Sequence, residues 1–150
     1  MEREVLKLAV QAPQLAGPVF DALDDSSFTD PIYAAIRRAV AGAGGAAAGR
    51  SGPEWVERIS EYCADLLIRS MVTELAVERP RTAGEPDERY AAAQLSRLQE
   101  LGASRQIRAL RSKLQRVNPL EQPEEHTRLF GELVALEQYA RGLREQAMGS

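Results

Sequence analysis

Residues 87–117 read DERYAAAQLSRLQELGASRQIRALRSKLQRV, and this stretch decides the fold. Its spacing predicts one long helix, about 45 Å end to end at about 1.5 Å per residue. The first half carries Leu95, Leu98 and Leu101 beside Ala91 and Ala92, a surface suited to docking on whatever lies upstream. The second half repeats Ile107, Leu110, Leu114 and Val117 at steps of three, four and three. That is a heptad-like stripe suited to one partner helix. Gly102, Ala103 and Ser104 separate the halves, a place where a helix bends. Two packing environments on one rod imply a body and an arm.

Working outward, residues 124–147 repeat Leu129, Leu133, Leu136, Ala140, Leu143 and Ala147 at four-three spacing. This stripe matches the one on the rod, and Asn118 and Pro119 break the chain between them, so the two segments pair as an antiparallel αα-hairpin. Upstream, residues 2–11 form an amphipathic helix that ends at Ala12 and Pro13, because the residue before proline avoids helical angles. Residues 14–23 give short turns interrupted at Gly17 and Pro18, a polar loop follows, and Phe28 plugs back into the core. Asp30 caps a helix with Pro31 at its first position. The Gly-Ala stretch 42–52 reads as a mobile linker. Pro53 opens another helix, bearing Trp55, Val56 and Ile59. Residues 64–78 carry a broad apolar arc, which predicts the centre of the bundle. The fold class is all-α: a bundle over 1–104, the long connecting helix, and a hairpin subdomain over 105–150.

Composition agrees. The chain has 150 residues, enough for a modest core plus an appendage. Much of the apolar content is alanine and aromatics are few, which favours helix over sheet. A net charge of −3 provides no global field toward nucleic acid or anionic membrane. The basic residues are nearly all arginine, Lys7 and Lys113 being the only lysines, a usage that fits a GC-rich bacterial genome. The single Cys63 excludes an internal disulfide and fits a reducing cytoplasm. No apolar run reaches membrane-spanning length. Helix begins directly after Met1, which suggests a piece of a larger protein.

Few residues invite chemistry. Residues 44–51 (GGAAAGRS) approach a phosphate-binding loop, but Arg50 stands where lysine belongs and a helix precedes it instead of a strand. His126, the one histidine, has only adjacent acids for company, so no metal site is expected. Cys63 has no activating partner and reads as a small buried residue. Trp55 and Tyr62 read as core or core edge, with a peptide groove at Trp55 the sharper alternative. Asp24, Asp25 and Asp30 sit in loop and cap positions, and no catalytic pair is expected among them. Arg105, Arg108, Arg111, Lys113 and Arg116 read as a solvated arc opposite the rod's stripe, partly neutralised by Glu132, Glu137 and Glu145. A protein-partner surface is the alternative. Direct nucleic-acid contact is disfavoured, since no aromatic interleaves for stacking. Phe130 and Val134 lie to one side of the last helix's stripe, and two readings stay open: contact with the rod's edge, or an exposed patch awaiting a partner. Gly131 and Gly142 fall on the far face and weaken the helix, consistent with a hairpin that tightens on binding.

With these residues laid out, the chain resembles the C-terminal helicase-binding domain of bacterial DNA primase, the DnaG type, in an actinobacterial form. The opening EREVLKLAVQAPQLA (residues 2–16) looks like the family's leucine-rich first helix and its Gln-x-Pro-x-Leu-Ala ending. Phe28, Ile32, Tyr33 and Ile36 are similar to the second block. Leu120, Glu124, Glu125, Leu129, Glu132, Leu136, Arg141 and Leu143 resemble the terminal hairpin. The resemblance implies a non-catalytic domain without cofactor or metal that couples primer synthesis to fork unwinding by binding the replicative hexameric helicase. Primer synthesis itself, a DNA-dependent RNA polymerase activity, would belong to other domains of a cytoplasmic parent enzyme. Helicase docking is expected at Phe130, Val134, Tyr139, Leu143, Arg144 and Met148 of the hairpin. The resemblance also implies a bundle site for the tail of single-stranded-DNA-binding protein, for which only Arg3 and Leu6 match. A homodimer through the hairpin is a further expected partnership; no nucleic acid or membrane is.

Three rival readings remain. The N-terminal primase-interacting domain of the replicative helicase has a similar opening, but a linker and ATPase core normally follow it, whereas the last helix here runs to Gly149 and Ser150. A small all-α enzyme of the chorismate-mutase kind needs inward arginines around an anion, and the arginines here fall on polar faces. A generic helical scaffold or nucleic-acid regulator would bind DNA in a salt-dependent way.

Overall fold

A computed structural model describes residues 1–23 and 25–149; the side chains of Asp25, Ala147 and Met148 fall outside the description. The described residues form helices and two short 3-10 turns, with no strand among them. The helices are α1 (Glu2–Gln11), α2 (Pro13–Asp21), α3 (Pro31–Gly42), α4 (Pro53–Glu61), α5 (Leu66–Val77), α6 (Glu88–Arg116) and α7 (Pro123–Gly149).

Local signals account for most boundaries. Ala12, held out of the helical region at φ −139° and ψ 64° before Pro13, separates α1 from α2. Gly17 kinks α2 with φ 50°, a left-handed conformation that glycine adopts at little cost. Carboxylates start three helices: Asp30 accepts from the Ile32 N–H at 2.8 Å, Asp65 from Leu67 at 2.8 Å, and Asp87 from Tyr90 at 2.8 Å. Each satisfies a backbone donor that the first turn leaves without a helical partner.

The centre of the bundle is α1, which packs against α2, α3, α4, α5 and α6. Val5, Leu6, Leu8, Ala9 and Val10 are fully buried there. The sequence reading placed α5 at the centre, and that expectation is corrected. Only Val72 and Leu75 of α5 are buried, while Leu66 is 75% exposed and Leu67 63%. A broad apolar arc counts residues; it does not say how many neighbours arrive to cover them. Gln11 binds α5 to the central helix by donating from Nε2 to the carbonyls of Leu75 and Glu78, each at 2.6 Å. These carbonyls lie at the C-terminus of α5, where helical N–H donors run out.

The Gly-Ala stretch is likewise no loose linker. It holds a 3-10 turn at Ala46–Ala48, and Ala46 is fully buried. The Asp21 carboxylate accepts from the N–H groups of Ala46 at 2.6 Å and Ala47 at 3.0 Å. Gly45 has φ 89°, and a Cβ there would fall 2.9 Å from the Asp21 Oδ2. Gly49 packs so tightly that a Cβ would lie 2.8 Å from the Trp55 ring and 2.9 Å from Pro13. Trp55 itself is core: its indole N–H donates to the Ala9 carbonyl of α1 at 2.8 Å, which removes the peptide-groove alternative.

Lys7 of α1 is 1% exposed, yet its ammonium is satisfied. It donates to Glu4 Oε2 at 2.5 Å and to the Arg79 carbonyl at 3.3 Å, and pairs with Glu78 Oε1 at 3.1 Å. Three acceptors meet three donors. Burial works to raise the Glu4 pKa, but hydrogen bonds from Lys7, the Arg81 N–H and the Tyr90 hydroxyl hold it below the usual range. Burial and the Glu4 carboxylate push Tyr90 up to about 12, so it stays protonated and donates.

The rod α6 runs unbroken through Gly102, Ala103 and Ser104, with no bend in its helical assignment. Its first half supplies Ala91, Leu95 and Leu98 to the bundle core. Antiparallel to it, α7 packs along most of its length, as cross-helix contacts at Arg111–Glu137 (3.0 Å) and Arg144–Glu100 (2.9 Å) record. The seam buries Leu129, Leu133, Ala140 and Leu143 of α7 with Ala103 of α6, and none of these belongs to the bundle's core cluster. Ile107, Leu110, Leu114 and Val117 are half-buried, as a stripe with one partner should be. Ala147, expected at the end of that stripe, lies outside the described side chains.

Candidate docking interface

The two long helices leave two flanks open to solvent. On one flank of α7 stand Phe130, 55% exposed, and Val134, 40% exposed. Their spacing of four puts them on successive turns beside the buried stripe, so the seam leaves both uncovered. Arg141 follows one heptad after Val134 on the same flank.

On this side lies a cleft of about 350 Å³ between the helices. Ser104, Ile107, Arg108 and Arg111 of α6 form one wall, and Glu137, Ala140, Arg141 and Arg144 of α7 the other. Each wall uses the same helical spacing, i, i+3, i+4 and i+7. The small Ser104 and Ala140 side chains leave the space, and arginines rim it. Arg111 pairs with Glu137, and Arg144 with Glu100. Arg108 and Arg141 have no carboxylate partner among the described residues.

The basic run therefore departs from the expected solvated arc. Arg108 and Arg111 lie beside the seam, not opposite it. Arg105 turns toward the bundle and donates to the Ser26 carbonyl at 2.8 Å. Of the expected neutralising acids, Glu137 meets the run, whereas Glu132 pairs with Arg128 of its own helix at 2.8 Å. Arginines converge here after all, although on an open surface cleft. The doubled i, i+3, i+4, i+7 pattern was in the sequence; only the register of pairing could superpose its two halves.

The expected docking residues separate. Phe130, Val134 and Arg144 share the cleft flank. Tyr139, 50% exposed, lies on the opposite flank, where it borders a hollow with Val19, Ala92 and Gln99. Leu143 is 6% exposed. The seam takes up most of its side chain, and the remainder borders the same hollow as Tyr139. Met148 lies in α7, but its side chain is outside the described residues.

The bundle pair fares differently again. Leu6 is fully buried in the core and has no surface for a peptide, so its expected contact role is corrected. Arg3 is partly exposed, and its guanidinium is already occupied. It bonds Glu78, Glu74 at 3.0 Å and the Tyr33 hydroxyl at 3.2 Å. The Arg3 hydrogen bond, with help from Lys7, draws the Glu78 carboxyl down to about 2. Asp30 is a helix cap; Asp24 and the Asp25 side chain lie outside the described residues. Cys63 is buried, which pushes its thiol up. No described helix is long and apolar enough to cross a membrane.

Comparisons with known proteins bear on this arrangement. The chain is 47% identical over 148 residues to a DNA primase of Mycobacterium tuberculosis (strain ATCC 25618 / H37Rv), covering 99% of this chain and 23% of that protein. It is 48% identical over 151 residues to a DNA primase of Mycolicibacterium smegmatis, again covering 99% and 23%. With a DNA primase of Streptomyces coelicolor the identity is 43% over 148 residues, covering 96% and 23%. The chain thus spans about a quarter of the length of the curated relatives it matches. A solved structure, the helicase binding domain of primase from Mycobacterium tuberculosis, superposes with a TM-score of 0.80 at 47% identity, covering 99% of this chain and 92% of that one. The family described as DNA primase DnaG DnaB-binding matches residues 2–129. A bundle with a two-helix arm, similar in sequence and fold to that domain along nearly its whole length, belongs to the DNA primase DnaG DnaB-binding family.

Proposed function

We propose that this chain is the non-catalytic domain by which a cytoplasmic DNA primase is held to the replicative hexameric helicase, coupling primer synthesis to unwinding. The observation that carries this is the exposed flank of α7, with Phe130 and Val134 uncovered in a domain of this family. Large apolar side chains left out on a regular helix mark a surface that a partner covers. The family assignment favours this reading over the helicase's own N-terminal domain, and over a small enzyme.

The chain divides into a bundle over 1–104 that sets the shape and a hairpin over 105–150 that does the docking. Supporting this division, the hairpin seam lies outside the bundle core. Phe130, Val134 and Arg144 form the principal contact face, with Tyr139 and Met148 as additional contacts. Leu143 acts by holding α7 against α6. Capture of the tail of single-stranded-DNA-binding protein at Arg3 would require Glu74 or Glu78 to release the guanidinium. A hairpin-swapped homodimer would preserve the same seam with α7 supplied by a second copy.

The test is co-elution of the purified chain with the replicative helicase, with and without residues 119–150. Binding by the full chain and none by the shortened one is expected. Equal binding by both would remove the hairpin as the docking element.

A further inference from the structure

The arginine cleft has more positive charge than its own carboxylates neutralise. Two ion pairs, Arg111–Glu137 and Arg144–Glu100, cross between the helices. Between them, Arg108 and Arg141 line opposite walls without a carboxylate of their own among the described residues. Like charges brought onto one cleft repel, and an anion seated between them reverses the sign of that interaction. Ile107 and Ala140 line the same cleft and offer apolar contact to the methylenes of an incoming side chain.

We propose that this cleft receives carboxylate side chains of an acidic, partly apolar segment on the protein that docks against the hairpin. The proposal rests on the docking reading above and names the chemistry of the partner. A guanidinium fork binds a carboxylate through two parallel hydrogen bonds, and the cleft has room for one or two such groups. A nucleic-acid strand is the poorer occupant. Glu100 and Glu137 participate in the flanking ion pairs, where a continuous phosphate chain would meet their charge. No aromatic residue lines the cleft to stack a base, and the chain's net charge is −3. Continuity supplies the apolar half of the motif: Phe130, Val134 and Arg141 fall on one flank at steps of four and seven. A segment lying along α7 would meet two apolar side chains first and the cleft afterwards.

Two measurements on the same samples test this. In the first, the full chain and its Arg108→Glu, Arg141→Glu, Arg108→Gln, Arg141→Gln and Phe130→Ser variants are titrated against purified replicative helicase, with circular dichroism confirming helix content. In the second, a hexaglutamate peptide is titrated into ¹⁵N-labelled chain while the arginine Nε–Hε signals are followed. Charge reversal at either arginine is expected to weaken helicase binding about tenfold or more, with a shallower salt dependence, and the glutamine variants less. Hexaglutamate is expected to shift Arg108 and Arg141 saturably and ahead of the other arginines. Arginine variants that bind like wild type while Phe130→Ser fails would overturn the cleft and leave the docking reading standing. No helicase binding by wild type, with the two arginines still shifting, would overturn the docking reading and keep the cleft as a carboxylate site. Uniform shifts of all arginines, or tighter binding of a dT12 oligonucleotide at the cleft, would overturn the proposed occupant.

Discussion

Val5 and Leu133 are both buried aliphatic residues, yet their surroundings differ completely. Val5 lies in α1, surrounded by five other helices. Leu133 lies in a seam with a single helix behind it, and its neighbours Phe130 and Val134 are left in solvent. The bundle is over-determined: helix caps, the Asp21 anchor, the Gln11 bonds and the Lys7 cluster all specify one arrangement. Among the described residues, the hairpin depends on one stripe, the Arg111–Glu137 and Arg144–Glu100 pairs, a long Ser96–Gln146 hydrogen bond and helix propensity. Surface ion pairs contribute little, about 0–1 kcal/mol each, so the arm is the less stable part. That difference suits a body that holds shape and an arm that adapts to a partner.

The comparison can be broken first at Lys7. Replacing it with methionine leaves the largely buried Glu4 without its ammonium and should cost about 3 kcal/mol, read as a lower midpoint in urea. The same cluster sets a pH dependence. Glu78 titrates at about 2 in the folded chain against an ordinary 4.5, a depressed value. Its stabilising contribution is therefore present above about pH 4.5 and is lost as the pH falls toward about 2. Melting temperatures measured across that window should fall for the native chain and fall less steeply for Glu78→Gln. Leu133→Ala should cost about 2.5 kcal/mol but only locally: amide exchange in α7 accelerates while α1 keeps its protection. Acceleration in both would show one cooperative unit and remove the contrast.

Smaller effects sharpen it. A Cβ at Gly131 or Gly142 meets nothing within 4 Å, so each Gly→Ala change should stabilise α7 by about 1 kcal/mol and slow its exchange. Phe130→Ser should leave stability within about 0.5 kcal/mol while weakening helicase binding, as judged by unfolding and titration of one preparation.

What the sequence revealed and what it hid follow the same division. Local chemistry was legible: Asp30 before Pro31, the Ala12–Pro13 break and the stop at Asn118 and Pro119 act within a few residues. The stripe from Leu129 to Leu143 was legible because a one-partner helix needs only one period. The centre of the bundle was not. Residues 66–77 have the apolar content of a central helix, but α1 holds that place, helped by a buried lysine whose acceptors lie at Glu78 and Arg79, far along the chain. The Gly-Ala stretch looked loose because composition carries no trace of Asp21 gripping two of its amides. The arginine cleft needed the register of α6 against α7, which periodicity leaves undetermined.

The uninterrupted course of α6 has a mechanical consequence. One rigid member is seated among the core helices at its first half and carries the free turn at its far end. It acts as a lever whose fulcrum is the contact of Ala91, Leu95 and Leu98 with the core. A small tilt at that seat swings the tip through an arc that grows with distance, so force applied to the prong is delivered to the body as torque.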